Sequence, residues 1–527
     1  GAQTRIIRPE SLYDSGGGSA NAGPIVTPQV VAFEITADGL SHTITSTLTG
    51  SSSCSFGPTN FVAPPACAPN LCTVGELGGT VYFDFNGDGI RQSGELVGVP
   101  NVTISAYDSS NTLVGTATSN SEGRYEFSAA NANAISAGSY PLRLEVTNLP
   151  ASGFNTTTRI GTNNGSSVQF VNAAQCNRDV SVLDQAEFCQ ENPLMVIPCY
   201  VNGDPLPAGT AGDGDALITF PYLSSGAPAG ITNLASARKV GSLWGVAYNR
   251  FTKKAFSSAM LKRHVGLGPL GLGGIYVSDM TALTTSNFID VTTLGIDLGQ
   301  ASVPSNAARG LVTDKTQPSR DTAVFSLVGK VGMGDLDISE DGSKLWFVNL
   351  NDKKLYSIDI TAYNASNTLP IAANVASTTI PAPSCTNGTS RPFGTKIFRG
   401  KVYVGTVCDA SSGTRSNLSA SVSAYDPTTL TWTSVFSFPL TYPKGYAIDS
   451  RYTGWYAWTD TFADLLVTAT GQNGGTGITY PEPLLADIEF DTDGTMVLGF
   501  ADRQALQLGY GNYSPNVGDN ALYYNFV

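Results

Sequence analysis

Asp84-Phe85-Asn86-Gly87-Asp88-Gly89-Ile90-Arg91-Gln92-Ser93-Gly94-Glu95 decides how the rest of the chain is read. Its pattern is D-x-N-x-D-G-x-x-x-x-x-E, which fits the twelve-residue calcium-loop signature at every fixed position. A hard cation takes about six to eight oxygens, so a short loop must offer them in alternation as it wraps the ion. Asp84, Asn86 and Asp88 stand at positions 1, 3 and 5. Gly89 permits the sharp turn at position 6, and Ile90 offers its backbone carbonyl at position 7. Gln92 occupies position 9, and Glu95 closes the shell with both oxygens. The competing reading is an Asn/Gly-rich hairpin turn with incidental carboxylates; the completeness of the match favours the metal.

The flanks exclude a helix pair. Gly79-Thr80-Val81-Tyr82-Phe83 and Val99–Tyr107 are rich in β-branched and aromatic residues, and the second alternates, so both read as strands. The ion would therefore staple a β-sandwich. The stretch GGTVYFDFNGDGIRQSGELVGVPNVTISAYDSSNTLVGTATSNSEGRYEFS (78–128) resembles the SdrD B-like repeat of bacterial surface adhesins, a calcium-binding relative of the collagen-adhesin B-type sandwich. The motifs that carry the resemblance are the loop, G-V-P-N-V after it, and S-E-G-R-Y-E-F; it covers residues 74–186. It implies a rigid extracellular spacer that needs Ca2+ for stability. Related sandwiches carry a Lys–Asn isopeptide crosslink, which this one cannot form internally because the first lysine is Lys239.

The remaining sequence is organised around that module. Residues 1–73 form an N-terminal β arm and hairpin region. Residues 1–30 are rich in Gly, Ser, Ala and Pro, a tail composition. QVVAFEITADGLSHTITSTLTG (29–50) alternates around Ala37-Asp38-Gly39 and reads as a hairpin. Such an arm can add a strand to an open sheet edge of another subunit, building a head-to-tail homo-oligomer, or fold back on its own domains. Residues 187–204 read as a Cys-bearing connector, and 205–527 as a β-propeller. In that last part GDLDISEDGSKLWFVNLNDKKLYSIDI (334–360) is strand, Asp-Gly turn, strand, Asn-Asp turn, strand. LADIEFDTDGTMVLGFADRQALQL (485–508) repeats its first half. LWGVAYNRFTKKAFSSAMLKRH (243–264) and PFGTKIFRGKVYVGTVCD (392–409) are looser copies. Four short strands per roughly 40–50 residues is the propeller-blade rhythm, giving about five to seven blades. This half resembles YVTN- or NHL-like bacterial propellers, and the last strand, NALYYNFV, is expected to close the ring against an early strand. The fold class is all-β throughout.

Composition narrows the function. Only 13% of the 527 residues are charged, and the net charge is −13. No basic stripe is present, so nucleic acid is excluded as a partner. No apolar run is long enough for a transmembrane helix. Eight cysteines and two histidines, with no CxxC pair, point to disulfides in an oxidising compartment and away from zinc. Cys189–Cys199 and Cys385–Cys408 are the expected pairings, with Cys54, Cys67, Cys72 and Cys176 pairing among themselves in an order left open. The chain begins at Gly1 without a basic leader and reads as a mature secreted or cell-surface form.

Other candidate chemistry gives way to structural readings. Gly266–Gly271 matches G-x-G-x-x-G, yet a strand follows where a dinucleotide site needs a helix. Lys262-Arg263-His264 is expected as a solvated basic spot. Asp213 and Asp215 read as turn residues. Asp335 with Asp337, and Asp487 with Glu489, recur at one blade position, which argues for a role in the repeat. Trp455-Tyr456-Ala457-Trp458 is expected to pack in a blade. No nucleophile elbow accompanies either histidine, so no catalytic residue is assigned. The reading is a structural and adhesive protein, not an enzyme: a calcium-stiffened subunit of an extracellular filament or surface assembly. Its exposed loops suit a glycan or a host or cell-surface ligand. The alternative is a propeller lyase or hydrolase acting on glycans, with the sandwich as spacer.

Overall fold

The structure is a computed structural model, and it describes residues 31–32, 45–47, 53–55, 76–84, 89, 91, 98–149, 154–156, 166–184, 192–225, 230–444, 453–472, 475–490 and 495–525. Nearly all regular structure is β, and the sandwich comes first. One four-stranded sheet runs in the order Val168–Val171, Leu142–Thr147, Thr103–Tyr107, Leu113–Thr118. The other runs Arg124–Phe127, Leu77–Phe83, Val180–Asp184, Phe154–Thr156. Within the second sheet Leu77–Phe83 and Val180–Asp184 are parallel, while its other pairs are antiparallel. Thr103–Tyr107 alternates half-buried and buried positions, as a strand with one covered face must. Val81, Val102, Ile104, Phe127, Leu142, Leu144, Val171 and Val182 fill the space between the sheets. Each large apolar side chain buried there contributes about 1.5–3 kcal/mol.

Three four-stranded antiparallel sheets form successive blades. The first contains Leu243–Asn249, Lys254–Ala259, Gly274–Asp279 and Thr284–Asp290. The second contains Met333–Ile338, Lys344–Asn349, Lys354–Asp359 and Val375–Thr379. The third contains Ser390–Phe398, Lys401–Cys408, Ser419–Asp426 and Thr431–Pro439. A fourth, short blade has Pro483–Phe490 and Met496–Asp502, and Val31–Ala32 from the arm lies on its outer edge. The leading strands of these four blades pack one against the next in chain order. Trp244, Trp346, Phe393, Val404 and Leu485 share one core that runs through them.

Two expectations are corrected here. Leu194–Pro198 falls in the segment read as a connector, but it pairs with Asp215–Pro221 and opens a three-stranded sheet completed by Thr232–Ser236. Its burial pattern, with Met195, Val196 and Ile197 all buried, shows why an apolar run beside a proline still becomes a strand. The last strand, Leu522–Asn525, does not pair with an early strand. It joins Gly475–Ile478 and Tyr510–Tyr513 in a separate four-stranded sheet, where Tyr523 packs on Phe462.

Candidate functional site

The acidic loop leaves the end of Leu77–Phe83, a strand buried on almost every residue. Asp84 sits at that exit and is 1% exposed. Its N–H donates to the Val182 carbonyl at 2.9 Å, so the neighbouring parallel strand fixes where the loop begins. Its Oδ2 accepts the Gly89 N–H at 2.7 Å. Gly89 has φ of +71°, a left-handed turn that costs a side-chain-bearing residue and that glycine adopts freely. Carboxylate 1 and glycine 6 thus close the first half of the loop on each other. The chain returns at Gly98, which bridges to Tyr82, and Val99 N–H donates to the Val81 carbonyl at 2.8 Å. The loop therefore starts and finishes on one strand, and no helix flanks it among the described residues.

Gly98 and Gly123 explain two of the motifs around the loop. A Cβ on Gly123 would stand 2.5 Å from the Gly98 Cα, and one on Gly98 would stand 1.9 Å from the Glu122 carbonyl oxygen. Only glycine lets G-V-P-N-V and S-E-G-R-Y pass this closely. Beside them Arg91 donates from Nη1 to Thr80 Oγ1 at 3.2 Å and lies over the Tyr82 ring. Asp179 accepts the Thr80 N–H at 2.8 Å. Burial raises the Asp179 carboxyl, with the Thr80 hydrogen bond and Arg91 pulling the other way. Of the expected ligands, Asp84 is placed as described; Asn86, Asp88, Ile90, Gln92 and Glu95 lie outside the described residues. The donor set of the expected ligands is all oxygen, the chemistry that a hard cation takes. These residues fit a hard divalent ion.

The propeller carries a different kind of site, one that the sequence hid. Lys262, Arg263 and His264 are 5%, 0% and 1% exposed, so the expected solvated basic spot is corrected to a buried one. Arg263 donates to the carbonyls of Gln507 and Tyr513 at 2.8 and 2.7 Å, and also to those of Arg320 and Asp321. Burial lowers its guanidinium to about 9. Lys262 Nζ donates to the Ala505 carbonyl at 3.2 Å. Asp321 accepts the His264 N–H at 2.8 Å and pairs with Arg309 at 2.6 Å, both side chains fully buried. Lys262 and Arg263 bind backbone carbonyls from distant segments and hold the blades to the C-terminal sheet.

A second cluster lies around Trp458. Arg503 pairs with Glu482 at 2.6 Å and Asp460 at 2.8 Å, and Asp460 also takes Lys330. Arg391 pairs with Asp409 at 2.8 Å. Both guanidiniums lie over the Trp458 ring, whose indole N–H donates to the Pro483 carbonyl at 2.9 Å. Burial pushes Glu482 up to about 7 even with Arg503 beside it.

The paired carboxylates join one blade to the next. Asp335 and Asp337 accept the N–H groups of Thr395 and Ile397 at 3.3 and 2.8 Å, across to the leading strand of the third blade. Glu340 accepts from Arg399 and Gly400 in the same way. Lys396 bonds Glu489 at 2.9 Å and carries the connection to the short blade. Burial alone would lower Lys396, but Glu489 and Asp337 outweigh it and raise the ammonium above its ordinary range.

Cys385 and Cys408 are disulfide-bonded across 23 residues, tying the approach to the third blade to the end of its second strand. The expected Cys189–Cys199 bond is corrected: Cys199 is a free thiol, and burial pushes it up to about 11. Its backbone N–H donates to the Ala216 carbonyl at 2.8 Å, one residue past the strand Leu194–Pro198. Cys189 lies outside the described residues; Cys176 is disulfide-bonded. Gly274–Asp279 follows Gly266–Gly271 as a strand, and Asp213 pairs with Arg238 at 2.9 Å. Trp455 and Trp458 are 5% and 2% exposed.

Fold and site together define an all-β protein in which a sandwich with an acidic exit loop precedes a set of ion-paired blades. Residues 75–190 match the SdrD B-like domain. Among curated proteins the chain is similar to Colossin-B of Dictyostelium discoideum, 25% identical over 447 residues, which is 83% of this chain and 11% of that protein. It is similar to Colossin-C of the same organism, 27% identical over 442 residues, 81% of this chain and 40% of that protein. The chain thus spans less than half the length of these relatives. Among solved structures it is similar to a periplasmic gluconolactonase of Pseudomonas aeruginosa, at 12% identity and a TM-score of 0.24, covering 67% of this chain and 87% of that one. Among the described residues no helix is long and apolar enough to cross a membrane.

Proposed function

We propose that this chain is a load-bearing extracellular or cell-surface protein, a subunit of a filament or surface assembly joined through its N-terminal arm. In this reading Ca2+ stiffens the 75–190 module, and the exposed loops of the propeller meet a glycan or a cell surface. The observation that carries the proposal is Asp84, a buried carboxylate at position 1 of an all-oxygen loop, folded onto Gly89 between paired strands. Held there, a divalent ion would cross-link the two ends of the loop. The residues themselves set the start of the loop through Val182 and its return through Gly98. The match of residues 75–190 to the SdrD B-like domain supports a surface role. A catalytic reading would need the recurrent carboxylates free for acid–base work. Asp335 and Asp337 are instead engaged by backbone N–H groups of the next blade.

Electron microscopy of the native protein with Ca2+ and with chelator tests this. The expected result is extended particles with Ca2+ that shorten or collapse when it is removed. Single compact particles of the same shape in both conditions would reject it.

A further inference from the structure

We infer that the outer edge of Met496–Asp502 is an acceptor for the N-terminal strand of a second copy of this chain. This rests on the assembly reading above and names its joint. The starting point is a missing strand. Each of the first three blades draws four strands from contiguous sequence. Among the described residues the short blade draws two, and the chain then turns into the helix Arg503–Leu508, with the Asp502 carboxylate accepting the Gln504 N–H as its cap. The third position is filled from the opposite end of the chain, with Val31 opposite Leu498 and Ala32 opposite Val497, antiparallel.

The acceptor is built for such an addition. Leu498 and Ala501 belong to the common core, with Met496 and Phe500 packed against it, so the strand is held rigidly from its inner side. A held edge strand presents a fixed row of N–H and C=O groups, the template that strand addition uses. The described part of the ladder covers two residues of an acceptor strand of seven.

Length permits exchange between copies. Residues 33–76 separate the donor from the first sandwich strand. Within them Thr45–Thr47 pairs with Ser53–Ser55, and the residues on either side of that hairpin would reach roughly 110 Å if extended at about 3.4 Å per residue. The same strand therefore reaches its own blade or a neighbour's. Swapping an identical element between copies preserves every contact and adds a head-to-tail joint that does not close on itself. The occupant of this edge in an assembly is the strand of the next copy.

The test places one cysteine on each side of the ladder in the full chain, Ala32→Cys and Val497→Cys. Val497 is half-buried, so the change is mild. Preparations carrying one substitution each are mixed under assembly conditions with Ca2+ and oxidised. The expected result is a covalent dimer from the mixture, and a ladder of multimers when both cysteines sit on one chain. Only an intrachain product from the double variant, with no dimer from the mixture, would overturn the exchange. If such protein still forms chelator-sensitive filaments, the assembly reading survives and this joint is wrong. A synthetic peptide of residues 27–35 gives the readout on unaltered protein: it should cap the edge and shorten the assemblies. Unchanged length at saturating peptide counts against the acceptor.

Discussion

The sandwich and the propeller handle buried charge in opposite ways. The sandwich is short of cations: residues 75–190 hold five arginines and no lysine against eleven aspartates and glutamates. Its buried Asp84 opens a sequence stretch with oxygen-bearing residues at alternate positions. The propeller supplies its own cations. Arg263, Arg309 and Arg503 are fully buried, and each meets carboxylates or carbonyls from distant parts of the chain. The difference teaches where charge balance comes from: the propeller neutralises its buried charges with its own side chains, and the proposal assigns an external ion to the sandwich. Divalent ion concentration should therefore act on the first and leave the second alone.

The largest effect that can break this comparison is expected in the propeller. Arg309→Met leaves Asp321 buried without its partner, which costs about 3–5 kcal/mol. Denaturant unfolding should show the propeller transition falling by that amount, with the sandwich transition in place. A loss shared by both would mean that the two regions unfold as one. Next comes Cys408→Ser. Opening a loop of this length removes about 3 kcal/mol of stability. The shift should be confined to the propeller; reduction of the unaltered protein should move both transitions, because Cys176 of the sandwich is disulfide-bonded as well. Calcium is expected to act in the other region. At a hundred times its dissociation constant it should add about 2.7 kcal/mol to the sandwich. Calorimetric scans with Ca2+ and with chelator would show one transition moving and one still.

The smallest effect is on pH dependence. Burial raises Glu482 from 4.5 to about 7 and Asp502 from 3.8 to about 6. Both groups hold their protons more tightly folded than unfolded. The stability they contribute is fully present below their unfolded values and is lost as pH rises through the folded ones. The propeller transition should therefore fall modestly between pH 5 and pH 7.5. Glu482→Gln should flatten that slope, measured as the change in melting temperature per pH unit.

Much of this was legible in the sequence where the signal was local. The position of Asp84 at a strand exit followed from the strand-like flank before it, and Gly98 and Gly123 stand in motifs readable without the fold. The four stretches singled out as blade repeats each contain the leading strand of a sheet. The D-x-D pair was readable as a repeat feature, because alternation puts both carboxylates on one face. The burial of Lys262-Arg263-His264 was not legible. A run of charges has the same local composition whether water or carbonyls surround it. Its partners at Asp321, Ala505 and Gln507 lie 57 to 244 residues away. Arg309 and Arg503 gave no signal either: their carboxylate partners Asp321 and Glu482 stand 12 and 21 residues away, outside any local pattern. Cys199 misled because an even cysteine count says nothing about which thiol a sheet will hold apart. The final strand misled because ring closure depends on blade geometry, and a later sheet claimed it first.

Isothermal titration of the metal-free full chain with Ca2+, beside the double variant Asp84→Ala and Glu95→Ala, tests the central claim most directly. One site per chain in the unaltered protein and none in the variant is the expected result. Equal binding in both, or no binding in either, would contradict the account.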